Sequence, residues 1–74
     1  MNKARLKAIR IVGDEIEFQL AALNLLIAEE NEYFDNMPQS IQESEKGDAA
    51  YSRIQELEDI AANLESLIEG ISNI

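Results

Sequence analysis

The chain has no cysteine, no histidine and no tryptophan, and only one proline, Pro38. Each absence excludes something. Without cysteine there is no disulfide framework. Without cysteine and histidine the usual zinc donor sets are missing. Ser-His-Asp and Cys-His catalysis lack their base. No apolar run approaches the roughly 18 residues that mark a membrane span. No apolar stretch near the start has the form of a secretory signal. The expectation is one domain, residues 1–74, in the cytoplasm and away from membranes.

What is present is acid and helix formers. The formal charge is −9, from fifteen acidic and six basic residues. The charges are segregated. Residues 1–13 hold Lys3, Arg5, Lys7 and Arg10 and no acid, whereas the remainder holds every acid with only Lys46 and Arg53. A protein that binds duplex nucleic acid shows a basic stripe that displaces counterions, so no direct nucleic-acid contact is expected. The acidity keeps a small apolar protein soluble. A sharper reading makes it a mimic of nucleic acid.

Two segments have helical periodicity. The first runs from about residue 3 to residue 34 and ends before Pro38, which biases Met37 away from helical angles. Ile9, Val12, Ile16, Leu20, Leu23 and Ile27 share one sector of the wheel. Ala4, Ile11, Phe18, Ala22 and Leu25 fall almost opposite. A helix apolar on two faces requires cover on both. The second helix is expected from Asp48, as N-cap after Gly47, to about residue 72. Its seam is Ala50, Ile54, Leu57, Ala61, Leu64, Ile68 and Ile71, spaced four and three residues alternately. Ile60, Leu67 and Ile74 widen that stripe. Residues 35–47 form the connection, with a short helical turn near 38–45 that opens on Pro38. Ser40 and Glu43 have capping-box spacing, and Ile41 is expected to pack inward.

The fold class is therefore all-α: an antiparallel helical hairpin assembling into a helical bundle. Antiparallel pairing would set Lys3, Arg5, Lys7 and Arg10 near Glu65 and Glu69, and Glu29, Glu30 and Glu32 near Lys46 and Arg53. A lone hairpin has a poor surface-to-volume ratio, so a homo-oligomer, a dimer or higher, is expected through Ile11, Phe18 and Leu25; the alternative is that this face is reserved for a different protein.

Candidate sites are few. Glu29, Glu30, Glu32 and Asp35 are the densest acid cluster, read as a solvated helix end and not as a metal site. No enzymatic activity, metal or cofactor is expected. Tyr33, Phe34, Asn36, Met37 and Pro38 form either a cap closing the bundle or a contact patch. Gln42, Ser44, Glu45 and Lys46 continue it as ligand-facing or solvent-facing polar groups. Arg10 and Lys46 are the candidate phosphate contacts for a small nucleotide held between chains, with Tyr33 or Tyr51 stacking on the base.

The stretch EEYFDNMPQSIQESEKGD, residues 29–48, resembles a motif in small, acidic, mostly helical proteins encoded by phages and integrative elements of Gram-positive bacteria. The matching residues are Phe34, Asp35, Asn36, Met37, Pro38, Gln42, Ser44, Glu45, Lys46 and Gly47. The resemblance covers about a quarter of the chain and implies a context, not a mechanism. In that context three functions are open: a binding protein that inhibits or regulates a host protein, anti-defence action included; an oligomeric sponge for a nucleotide signal; or an acidic nucleic-acid mimic.

Overall fold

A computed structural model describes residues 1–74 and contains three helices: α1 (Lys3–Asp35), α2 (Gln39–Gln42) and α3 (Glu45–Ser72). The side chain of Asn2 opens α1 by accepting a hydrogen bond from the Arg5 N–H at 2.7 Å, which satisfies one of the helix's orphan donors. Helix α1 runs without a break through Gly13 and stops at Asn36, whose N–H bonds back to the Glu32 carbonyl at 3.0 Å. Pro38 then starts α2 from the N-cap position, one residue earlier than its expected place inside the turn.

The connection differs from the sequence reading in four ways. Helix α3 starts at Glu45, not after Asp48, because Ser44 is the cap and its hydroxyl accepts from the Gly47 N–H at 3.4 Å. Gly47 thus lies within the first turn. Asp48 remains in that turn, where a carboxylate meets the positive end of the helix dipole. Ser40 and Glu43 form no capping box. Ser40 lies inside α2, and the Glu43 carboxylate accepts from the Gln39 side chain at 3.1 Å. Ile41 does not pack inward; it is exposed.

Helices α1 and α3 pack side by side and antiparallel. The contact positions on α1 are Leu6, Ile9, Gly13, Ile16, Leu20, Leu23, Ile27 and Phe34, together with Glu30. The α3 positions are Gly47, Ala50, Ile54, Leu57, Ala61, Leu64, Ile68 and Ile71. Both sets alternate steps of three and four, the seam of an antiparallel coiled coil. Every α3 seam residue expected from sequence is in place. On α1 one is not: Val12 is 50 % exposed, and its neighbour Gly13 is buried. A Cβ on Gly13 would come within 2.9 Å of the Ile71 Cγ2 methyl. The seam therefore uses a glycine so that Ile71 can sit against the α1 backbone. In heptad lettering Gly13 and Gly47 both occupy position a.

The pairs Gly13–Ile71 and Phe34–Tyr51 fix the register along the whole length. Continued outward, it places Arg10 near Ser72 and sends Lys3, Arg5 and Lys7 beyond Ile74. The expected apposition of those bases with Glu65 and Glu69 does not occur. The α1 residues level with that part of α3 are Glu15 and its neighbours.

The result is a rod of 59 × 15 × 12 Å with a thin core. Six residues are buried, and no large side chain is fully enclosed. The radius of gyration is 17.2 Å, against about 11 Å for a globular chain of this length. No helix is long and apolar enough to cross a membrane.

Candidate functional site

Three regions contain the sequence candidates: the corner, the outward ridge of α1, and one long side of the hairpin.

At the corner, four of the motif residues, Phe34, Gln42, Ser44 and Gly47, build the turn itself. The Gln42 side chain donates to the Phe34 carbonyl at 2.8 Å, tying α2 to the exposed carbonyl end of α1. The Ser44 hydroxyl donates to the Ile41 carbonyl while capping α3. Gly47 packs so closely on Gln42 that a Cβ would overlap the Gln42 carbonyl. The Phe34 ring meets Tyr51 at 6.1 Å between centroids and 52° between planes, a tilted geometry that aromatic pairs favour. The other motif residues face out. Tyr33, Asn36, Pro38, Glu45 and Lys46 are exposed and Met37 is half-buried. Tyr33, Asn36, Met37, Pro38 and Lys46 join Ile41 in lining a shallow depression. The structure thus brings the aromatic Tyr33 and the cation of Lys46 to one place. Arg10 is remote from them: at 1.5 Å per residue it lies on the order of 40 Å away along the rod. Arg10 and Lys46 of one chain therefore do not share a ligand. No group of three acidic side chains, Glu29, Glu30, Glu32 and Asp35 included, comes together in a way that could hold a metal ion.

Along α1, Ile11, Phe18 and Leu25 occupy position f, directly opposite the seam. They are 48 %, 73 % and 69 % exposed. With 1.5 Å of rise per residue they form a ridge about 21 Å long. Ile11 and Phe18 border a groove that continues past Gln19 to Leu64 of α3. On α3 the equivalent outward positions are Ser52, Asp59 and Ser66, which are polar.

The third region is not evident from either helix alone. An antiparallel helix pair has an approximate two-fold axis normal to the plane of the two helices. Equivalent heptad positions therefore fall on the same side of that plane. Position g of α1 carries Val12, Leu26 and Tyr33, and position g of α3 carries Ile60, Leu67 and Ile74; all six are exposed. Across the hairpin, the e side is polar, with Arg10, Glu17 and Ser72 around one depression. The periodicity of Ile60, Leu67 and Ile74 was legible. Their alignment with Val12 and Leu26 required the register that Gly13 sets, and a glycine carries no apolar signal.

No family model, curated protein or solved structure matches the chain.

Proposed function

We propose that the protein acts by binding. In this reading it is a small self-associating helical hairpin of a phage or mobile element. It works in the cytoplasm of a bacterial host, where it occupies a host protein and inhibits or regulates it, defence components being among the targets. The observation that carries the reading is the Ile11–Phe18–Leu25 ridge. Three large apolar side chains at seven-residue intervals on a rigid helix are the anchors of helix-in-groove recognition. Exposed apolar surface of this continuity marks an interaction site.

The test compares capture of host proteins by the wild-type chain with capture by Phe18→Glu and Leu25→Glu. Both substitutions are on exposed positions, so helicity by circular dichroism should be unchanged. A host protein retained in stoichiometric amount by the wild type, lost with both variants, and bound again when purified supports the reading. Equal retention by all three overturns it.

A second reading rests on the depression that unites Tyr33 and Lys46. A nucleotide phosphate would pair with the ammonium and a base would stack on the ring. Cyclic and linear nucleotides at a hundredfold excess over Kd should then raise stability by about 2.7 kcal/mol. A thermal-shift screen without any upward displacement rejects it.

A further inference from the structure

We infer that the g side of the hairpin, formed by Val12, Leu26, Tyr33, Ile60, Leu67 and Ile74, is the contact surface for a second copy of this chain. The product is a two-fold four-helix bundle that leaves the Ile11–Phe18–Leu25 ridge outside, in place of the self-contact through that ridge expected from the sequence. This deepens the self-association in the proposed function by naming its surface.

Three observations carry it. The first is area. The chain exposes 5775 Å², roughly 1,200 Å² more than the ~4,600 Å² expected for a folded monomer of 8.3 kDa. A stable dimer needs about 800 Å² from each partner, so the excess is enough for one two-fold contact and leaves apolar surface over.

The second is charge. Every seventh residue from Arg5 is Arg, Val, Gln, Leu and Tyr, and every seventh residue from Lys46 is Lys, Arg, Ile, Leu and Ile. None of the fifteen acids lies on either line. In a chain of charge −9, two copies meet with least repulsion along these two lines, with Glu15, Glu29 and Glu56 kept one position further out. The e side, with Glu17, Glu58 and Glu65, offers no such approach.

The third is pattern. Helices of a four-helix bundle are apolar at a, d and one flanking position. Here that flank is g on both helices, so the surface is continuous across the hairpin and self-complementary about a two-fold axis. Position f serves no helix of such a bundle. It is polar on α3 and apolar on α1, which leaves the α1 ridge free for a different protein.

The experiment uses the native absence of cysteine. Light scattering on the wild-type chain should give twice 8.3 kDa. The Leu67→Glu variant should fall to the single-chain mass at the same concentration, and Phe18→Glu should remain a dimer. Single-cysteine variants Leu67→Cys and Phe18→Cys, milder in shape, then locate the contact in the folded protein. Alkylation at position 67 should slow about twofold as protein concentration reaches Kd and about tenfold at roughly fiftyfold above it, because the thiol is enclosed only in the dimer. Alkylation at position 18 should not change. A wild-type monomer at all concentrations, equal slowing at both positions, or slowing at position 18 alone overturns the inference. A wild-type monomer leaves capture of a host protein by the ridge standing, whereas slowing at position 18 alone assigns the ridge to self-association, so the outcomes tell the two readings apart.

Discussion

At the corner the chain reverses between Asp35 and Glu45 and is tied down several times over. Gln42 bonds the last turn of α1, Ser44 caps α3, Phe34 meets Tyr51, and Gly47 is pressed on the Gln42 backbone. At the open end nothing comparable exists. Ile71 rests on Gly13, and the first turns of α1 project past the last residue of α3. One end is held by directed hydrogen bonds and close backbone approach, the other by a single apolar layer. A two-helix rod needs this inequality. The corner must suppress the alternative in which the helices separate and stack end to end, and only specific local bonds do that. The open end needs no more than seam contacts.

Substitutions can break the contrast, in order of effect. Gly47→Ala should be the most damaging, because its methyl overlaps a backbone carbonyl that cannot move without opening the corner. A loss of about 3 kcal/mol or more is expected, visible as the disappearance of a cooperative melt by circular dichroism. Gly13→Leu at the open end should cost about 2 kcal/mol from overpacking against Ile71. Gly13→Ala should stay within about 1 kcal/mol of wild type, because the gain in helix propensity offsets the strain. Adding Ile71→Ala to Gly13→Leu should recover part of the loss, and denaturant melts of the four proteins would measure the coupling. Gln42→Ala should cost about 1 kcal/mol, the worth of its bond to the Phe34 carbonyl. It should also speed amide exchange at the end of α1 ahead of the rest. The smallest effect sharpens the contrast from the other side. The first turn of α1 has no acid and carries Lys3 and Arg5 against the helix dipole. Lys3→Glu should therefore stabilise by about 0.5 kcal/mol, read as a small upward shift of the thermal midpoint that fades with added salt.

Helix α3 was legible almost residue by residue, because its seven seam positions from Ala50 to Ile71 are all aliphatic and evenly spaced. Its start was not. Asp48 and Ser44 are both good caps, and only the close packing of Gly47 on α2 decides between them. Helix α1 was legible in extent but not in seam. Ile, Val and Leu outnumber the seam places, and Val12 out-competes Gly13 in any reading by hydrophobicity. The structure prefers the glycine because backbone proximity, not side-chain area, is what Ile71 requires. The geometry of the bases was hidden for another reason: α1 has 33 residues and α3 only 28, so with the corner closed the first turns of α1 run past the end of α3. Of the candidate site, the ridge of Ile11, Phe18 and Leu25 could be read directly from its seven-residue interval. The g side could not, because it belongs to two helices whose relative phase no single helix encodes. The loop motif could be found but not divided. Nothing in the order of Phe34, Gln42 and Ser44 announces that they face inward to hold the corner while Tyr33, Asn36 and Lys46 face water.

The thin core sets a rule for abundance. A hairpin whose contacts run between neighbouring elements is of low contact order and folds quickly, in microseconds to milliseconds. Few residues are buried, so little apolar contact opposes local opening. Whatever covers the exposed sides adds to stability in proportion to its own concentration. Solitary molecules are then the ones that proteases remove, and accompanied ones persist. Were the self-association and capture proposed above to hold, the lifetime of the protein would measure how much of it and of its partner is present.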